Sequence, residues 1–243
     1  DIEWPEVARQ LNETVIRRVI LHDLRVGDRG RRRDPQLLEE MFRMGARYCG
    51  QAPNLSELAR QARETMEANV GVNRIRAYIE FLDSSLLLRA INPHEMRLKK
   101  RRGAPKFCLS DHALRAAWLD EIIPLDERGL ANAPEQQDLA GRIAESVAGY
   151  FLASLGLPIA YLPARGAAPE VDFILTAGDH RVPIEIKYQA SIDAQRDTKG
   201  LRSFLDKKVN RSPVGVLVTR SDCDLEMPRN IVAVPLKTLL LVH

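Results

Sequence analysis

The sequence predicts an α/β protein of the α+β type, with a helical N-terminal half and a C-terminal half built on a central mixed sheet. Apolar residues recur at helical spacing through much of residues 5–82. Two segments rich in β-branched and aromatic residues follow at 170–176 and 182–188, and a strand–helix–strand order comes after them. This order of signals is typical of helices packed against a sheet.

The first 50 residues are predicted to be a helical lead-in. Apolar side chains recur every three or four positions in residues 5–24. Asp34 can cap a second helix, and Pro35 is favoured at its first position. Gly50 and Pro53 then end this helix.

Residues 51–125 have the element order of a winged helix–turn–helix domain. Asn54 precedes a helix in an arrangement close to a capping box, and Asn73 is predicted to cap a second helix over residues 74–82. Strand-like segments at 86–91 and 106–109 flank a basic hairpin tip. In winged helices the second of these helices reads a DNA groove while the tip lies beside it.

The candidate DNA contacts are the polar residues at the start of that second helix and the cations of the tip: Asn73, Arg74, Arg76, Lys99, Lys100, Arg101 and Arg102. Two other interpretations stay open. A run of charges is often a solvated hairpin tip, and winged helices also serve as protein-docking modules.

The remaining residues, 126–243, are predicted to form the second domain, after a linker within residues 120–138 that is rich in proline, glycine and acidic side chains. A helix over 139–155 carries Glu145 away from its apolar stripe. The strands 170–176 and 182–188 form a hairpin, because residues 177–180 have the composition of a tight turn. A helix near 200–208 and strands at 214–219 and 231–235 complete a mixed sheet.

The chemistry is predicted to lie in that hairpin. Side chains alternate along a strand, so Glu185 and Lys187 share one face, and Asp172 on the neighbouring strand can approach Glu185. Two carboxylates this close favour a bound cation, for which Mg²⁺ or Mn²⁺ is the expected cofactor. Glu145 adds a further possible metal ligand. Lys187 would position or deprotonate the attacking water and offset charge on phosphorus.

This arrangement is the D…(D/E)xK pattern of PD-(D/E)XK nucleases, with Asp172, Glu185, Lys187 and Glu145 as the site. A different interpretation stays open, because a strand reading Ile-Glu-Ile-Lys is often only an amphipathic sheet edge. A second alternative is a catalytically silent module that docks an ATPase domain or a partner protein.

The chain resembles the C-terminal half of a large prokaryotic group of AAA-type ATPases with a C-terminal domain of unknown function. The likeness covers residues from about 10 to the end and is carried by these segments: 54–59, 78–88, 105–107, 110–111, 141–151, 170–173, 183–187 and 199–205. The resemblance implies a winged helix, a PD-(D/E)XK-like domain and a preceding ATPase domain as partner. Residues 64–71 depart from the family's short turn. The sequence contains no G-x-x-x-x-G-K-[ST], so we expect no ATP hydrolysis by these residues.

Composition narrows the remaining possibilities. The 45% hydrophobic and 28% charged content is that of a globular protein, and the net charge of +3 does not by itself demand nucleic acid. The three cysteines show no CxxC spacing, which favours a reducing cytoplasm over a zinc site or disulfides. The most apolar stretch, residues 151–162, is too short for a membrane helix. We expect no membrane partner and leave an oligomer possible.

Overall fold

The computed structural model describes residues 3–19, 34–66, 69–95, 103–124, 127–166, 168–222 and 225–242. Its first half contains five helices and a two-stranded hairpin in these ranges: α1 Trp4–Leu11, which continues as a π-helical segment Asn12–Ile16, α2 Pro35–Arg47, α3 Leu55–Met66, α4 Val72–Ser84, β1 Leu88–Ile91, β2 Lys106–Leu109 and α5 His112–Leu119. β1 and β2 are antiparallel. The predicted order of helices and strands in residues 51–125 is therefore present.

Helix starts follow the local chemistry, with one correction. The Asp34 side chain accepts hydrogen bonds from the backbone N–H groups of Gln36 and Leu37, as predicted for the start of α2. The prediction that Asn73 caps the next helix is wrong. Gly71 is the N-cap, because its carbonyl accepts from the N–H groups of Arg74 and Ile75, and α4 starts at Val72.

The predicted lead-in contributes to the same hydrophobic core as the helices that follow it. Leu37 and Phe42 of α2 are fully buried together with Leu58 of α3 and Ile79 of α4. Phe42 also meets the Trp118 ring of α5 edge-on, with 5.7 Å between ring centroids. α2 therefore packs as a structural part of this half.

The second half holds the sheet. Its elements are α6 Glu127–Asn132, a 3-10 turn Pro134–Gln136, α7 Gln137–Ser154, β3 Ile159–Leu162, β4 Val171–Ala177, β5 His180–Lys187, α8 Lys199–Leu205, β6 Gly215–Thr219, β7 Ile231–Pro235 and α9 Leu236–Leu239. The segment predicted as a linker thus includes α6 and the start of α7. β3 was not predicted, because its four residues lie within an apolar run that has no strand periodicity.

The sheet has five strands in the order β3-β4-β5-β6-β7. β3, β4 and β5 are antiparallel neighbours, whereas β5, β6 and β7 run parallel. The mixed sheet and the hairpin are as predicted. Gly178 takes a φ of 58° in the two-residue turn between β4 and β5, a conformation that favours glycine. β5 is the middle strand of the sheet, and residues 183–186 within it are buried whichever face they point to.

α7 packs against both halves. Ile143 belongs to the core of the first half, whereas Ala144 and Ala148 pack with sheet residues and with Cys108 of β2. The hairpin also bonds to the sheet edge, because the Tyr161 N–H of β3 donates to the Asn92 carbonyl at 3.2 Å. The β1–β2 hairpin and the sheet are thus one packed unit in the described residues.

A partly buried histidine, His112, lies at this junction. The Ser146 hydroxyl of α7 accepts from the Leu109 N–H and lies 3.0 Å from His112 Nε2. Since its oxygen already accepts, the hydroxyl can donate its own hydrogen to an unprotonated Nε2. Burial, and next the charge of Arg115, lower the pKa of His112 to about 4.

This histidine makes stability depend on pH. The folded pKa lies below the ordinary 6.5, so as pH falls the unfolded chain takes up the proton first, and stability is lost between pH 6.5 and 4. We expect the free energy of unfolding to drop by about 2 kcal/mol more from pH 7.5 to pH 5 in the wild type than in His112→Gln. Urea unfolding of both proteins at the two pH values measures this. Equal drops in the two proteins would contradict it.

Within the described ranges, each helix is too short or too polar to cross a lipid bilayer.

Candidate metal centre

The site forms where β4 and β5 separate. Their backbone pairing ends at Phe173 and Ile184. One residue earlier on β4, the Asp172 side chain replaces the backbone as the hydrogen-bond acceptor. Its Oδ2 accepts from the Ile186 N–H at 2.8 Å. Asp172 is only 8% exposed. The hairpin therefore fixes this carboxylate against the backbone of the neighbouring strand.

Glu185 and Lys187 lie together on β5, as the alternation predicts. Lys187 Nζ donates to Glu185 Oε1 at 2.7 Å. The other carboxylate oxygen, Oε2, is buried and finds no hydrogen-bond partner in the described residues. An unsatisfied buried carboxylate oxygen is unusual, because its lost hydration is not replaced.

α8 closes one side of this site at very short range. A Cβ atom added at Gly200 would lie 3.3 Å from Glu185 Oε2 and under 3.0 Å from the Glu170 carbonyl oxygen. Glycine is therefore required at this position, because any side chain would collide with the backbone of residue 170.

Three carboxylates form a second group, which we call the acid triad: Glu145, Glu170 and Asp172. Their potential ligand oxygens all lie within 4.8 Å of one another. α7 supplies Glu145, β4 supplies Asp172, and Glu170 immediately precedes β4. The Glu170 side chain is 47% exposed, so the acid triad opens to solvent on that side.

Lys106 of β2 reaches into the acid triad from the first half of the chain. Its ammonium contacts Glu145 Oε1, lies 3.1 Å from Glu170 Oε1 and lies 3.6 Å from Asp172 Oδ1. The Tyr161 and Phe173 rings each lie 5.2 Å from the ammonium nitrogen, within cation–π range. Lys106 is 1% exposed.

The electrostatics show a shortage of positive charge. Four carboxyl groups, those of the acid triad and Glu185, meet two ammonium groups, Lys106 and Lys187. Burial, and next the charge of Asp172, raise the pKa of both Glu145 and Glu185. Burial opposes the charge on Lys106, but Asp172, Glu145 and Glu170 outweigh it and raise its pKa. Another cation would relieve the remaining excess of carboxylates.

The donor set suits a hard divalent cation. Mg²⁺ binds oxygen at 2.0–2.1 Å in octahedral geometry, so its ligands lie about 3 to 4 Å apart. The potential ligand oxygens of the acid triad lie within 4.8 Å of one another, which is close to this spacing. Asp172 and Glu145 would hold the ion together with Glu170.

The structure thus brings some of the predicted residues together and adds others. Asp172 and Glu145 meet in the acid triad, whereas Glu185 lies beside it, paired with Lys187. Sequence reasoning missed Glu170 and Lys106 as site residues. Glu170 had a signal, since it lies two positions before Asp172 and could share its face. Lys106 had a weaker one, as the charged residue of a short, otherwise apolar strand.

The interpretation of Ile-Glu-Ile-Lys as an amphipathic sheet edge is wrong. β5 is the middle strand of the sheet, and Glu185 is 8% exposed. A buried acid at such a position is costly unless a charge compensates it.

The predicted DNA contacts on α4 are all at the surface. Asn73, Arg74 and Arg76 are exposed. Arg74 lies 3.3 Å from Asp34 Oδ2, and Arg76 donates weakly to Asn73 Oδ1 at 3.4 Å. Exposed contacts of this kind contribute little to stability. The basic tip, Lys99, Lys100, Arg101 and Arg102, lies outside the described residues.

Comparison with known proteins gives two family matches. Residues 140–239 match a domain of unknown function, DUF4143, which is found in C-terminal regions associated with AAA ATPases. Residues 4–122 match a second domain of unknown function, DUF8612. The two matches divide the chain between α5 and α7.

No curated protein matches the chain. A crystal structure of protein VC1899 from Vibrio cholerae overlaps 86% of this chain at 12% sequence identity and a TM-score of 0.27. The chain spans 55% of the length of that structure. So loose an overlap supports no statement about fold or function.

Proposed function

Because residues 140–239 match a domain associated with AAA ATPases, we propose that this chain is the C-terminal part of such an ATPase and carries a metal-dependent DNA phosphodiesterase site of the PD-(D/E)XK type. One observation supports the site above all. Carboxylates from α7, β4 and β5 converge at the end of the central strands, with Lys187 beside them. Such a constellation matches the needs of phosphodiester hydrolysis.

Each residue has a role in this proposal. The acid triad would hold Mg²⁺ or Mn²⁺, and when bound the metal would activate water and neutralise phosphate charge. Lys187 would hold the attacking water and offset the charge that develops on the phosphate oxygens. Glu185 keeps the Lys187 ammonium in place through their 2.7 Å contact.

DNA binding by the first half belongs to the same proposal. The order α2, α3, α4, β1, β2 fits a winged helix, with α4 as the helix in the groove. Its exposed Arg74 and Arg76 and the basic tip at residues 99–102 would contact phosphates or bases. Any ATP hydrolysis would come from the ATPase domain of the full-length protein.

A catalytically silent module is the second candidate, and Lys106 favours it. A lysine already supplies a positive charge to the acid triad, so the cluster has an internal counter-ion. In that case the sheet and the winged helix would dock the ATPase domain or a protein partner.

Plasmid cleavage separates the two candidates. We expect the wild type to nick plasmid DNA with Mg²⁺ or Mn²⁺ and to stop when EDTA is added. Lys187→Met should be slower by about 100-fold, because it loses charge stabilisation in the transition state. Agarose gels of supercoiled plasmid measure the rate.

The matched control is Lys237→Met, which removes an exposed lysine that pairs with Asp222 at the surface. It should cleave like the wild type. Absence of metal-dependent nicking by the wild type, or unchanged nicking by Lys187→Met, would reject the nuclease proposal and favour the silent module.

A further inference from the structure

The Lys106 ammonium contacts three carboxylates at once, which is more than a simple structural ion pair requires. Its ammonium lies among three carboxylates that could otherwise hold a metal, and it comes from β2, outside the sheet domain. A divalent ion bound to these carboxylates, at about 2.1 Å from their oxygens, would lie within about 5 Å of this nitrogen. Repulsion between the two cations in a buried site is strong, so both cannot stay.

The site nevertheless calls for more positive charge than Lys106 provides. Glu185 Oε2 is buried beside it and finds no partner in the described residues. The half-exposed Glu170 gives an ion a path from solvent to the acid triad. Lys106 is held in place from the other side by the Tyr161 ring, whose hydroxyl donates to the Ala104 carbonyl at 2.7 Å.

We propose that Lys106 is a built-in cation that competes with a divalent metal for the acid triad, so that the metal binds only when the lysine ammonium is displaced. The inference rests on the proposed metal site and concerns its regulation. Because Lys106 follows the basic tip of the hairpin by only four residues, the half that would bind DNA contributes the competing cation.

Calorimetric titration with MnCl₂ tests the competition on the whole chain. Lys106→Met keeps the hydrocarbon part of the side chain and removes its charge. We expect this variant to bind Mn²⁺ about tenfold or more tightly than the wild type, because the competing ammonium is gone. Affinity equal to or weaker than that of the wild type would overturn the proposal.

Arg115→Met is the matched control, since Arg115 is also a buried cation, 3% exposed, but pairs with Glu121 rather than with the acid triad. It should lose stability without any gain in Mn²⁺ affinity. An equal gain in Arg115→Met would mean that general loosening causes the effect, and this too would overturn the proposal.

Thermal unfolding covers the case in which Lys106→Met folds poorly. Unpaired carboxylates would destabilise it, and Mn²⁺ should then restore its melting temperature, because a ligand of the folded state stabilises that state. If Lys106→Met stays unfolded even in about 10 mM Mn²⁺, the role of Lys106 is purely structural and the proposal is overturned. Tight Mn²⁺ binding without plasmid cleavage would leave the competition standing and reject the nuclease proposal instead.

Discussion

Asp172→Asn is expected to abolish Mn²⁺ binding and to slow plasmid cleavage by roughly 1,000-fold, while the protein stays folded. The amide oxygen can still accept the hydrogen bond from the Ile186 N–H, so the junction of β4 and β5 should survive. The substitution removes the negative charge of Asp172, which attracts both Lys106 and Lys187 and would help the acid triad to bind the metal. Without a bound metal, the metal's share of water activation and charge neutralisation is lost, and only that of Lys187 remains.

The comparison with Asp172→Ala makes this result specific. Alanine removes both the charge and the acceptor for Ile186, so it should lower stability as well as activity. Calorimetry with Mn²⁺, plasmid nicking and urea unfolding of the two variants separate the effects. If Asp172→Asn cleaves plasmid at more than about a tenth of the wild-type rate, Asp172 is not a metal ligand.

Gly149→Ala is expected to destabilise the protein although it lies within a helix. The new Cβ atom would come within 2.6 Å of Phe173 Cζ and under 3.0 Å of Cys108 Sγ, and both of these residues are fully buried. Overpacking costs about 1 to 3 kcal/mol, and three contacts under 3.0 Å place this case toward the upper end of that range. The cost therefore exceeds the roughly 1 kcal/mol gained by replacing glycine in a helix.

Gly141→Ala in the same helix, α7, is the control. A Cβ atom at Gly141 would meet nothing within 4 Å, so only the gain in helix propensity remains. The two substitutions should therefore shift the free energy of unfolding in opposite directions, about 2 to 3 kcal/mol apart. Equal effects in urea unfolding would mean that α7 can move away from β2 and β4.

The sequence was sufficient for the parts of this fold that depend on local periodicity. The hairpin of β4 and β5 follows from two alternating segments and a glycine turn, and the pairing of Glu185 with Lys187 follows from the two-residue period of a strand. α7 follows from its apolar stripe. In each of these cases, a short stretch of chain contains the information.

Contacts between distant segments were not accessible in this way. Lys106 and Glu145 are 39 residues apart, and Lys106 and Asp172 are 66 apart, so only the tertiary packing of β2 against α7 and β4 brings them together. The start of α4 was misplaced for a different reason. An asparagine near a helix start resembles a cap, whereas the backbone conformation of Gly71 decides where the helix begins.

The bonding of the β1–β2 hairpin to β3 has a consequence for how the chain matures. On a ribosome the residues up to 125 emerge before the second half, at a time when Tyr161 and the three carboxylates that Lys106 contacts have not yet been made. The aromatic and acidic surroundings of this lysine are complete only after residue 173 has been added. Lys106 and Cys108 of β2 therefore become buried only after the second half has been made, whereas Phe107 and Leu109 pack in the core of the first half.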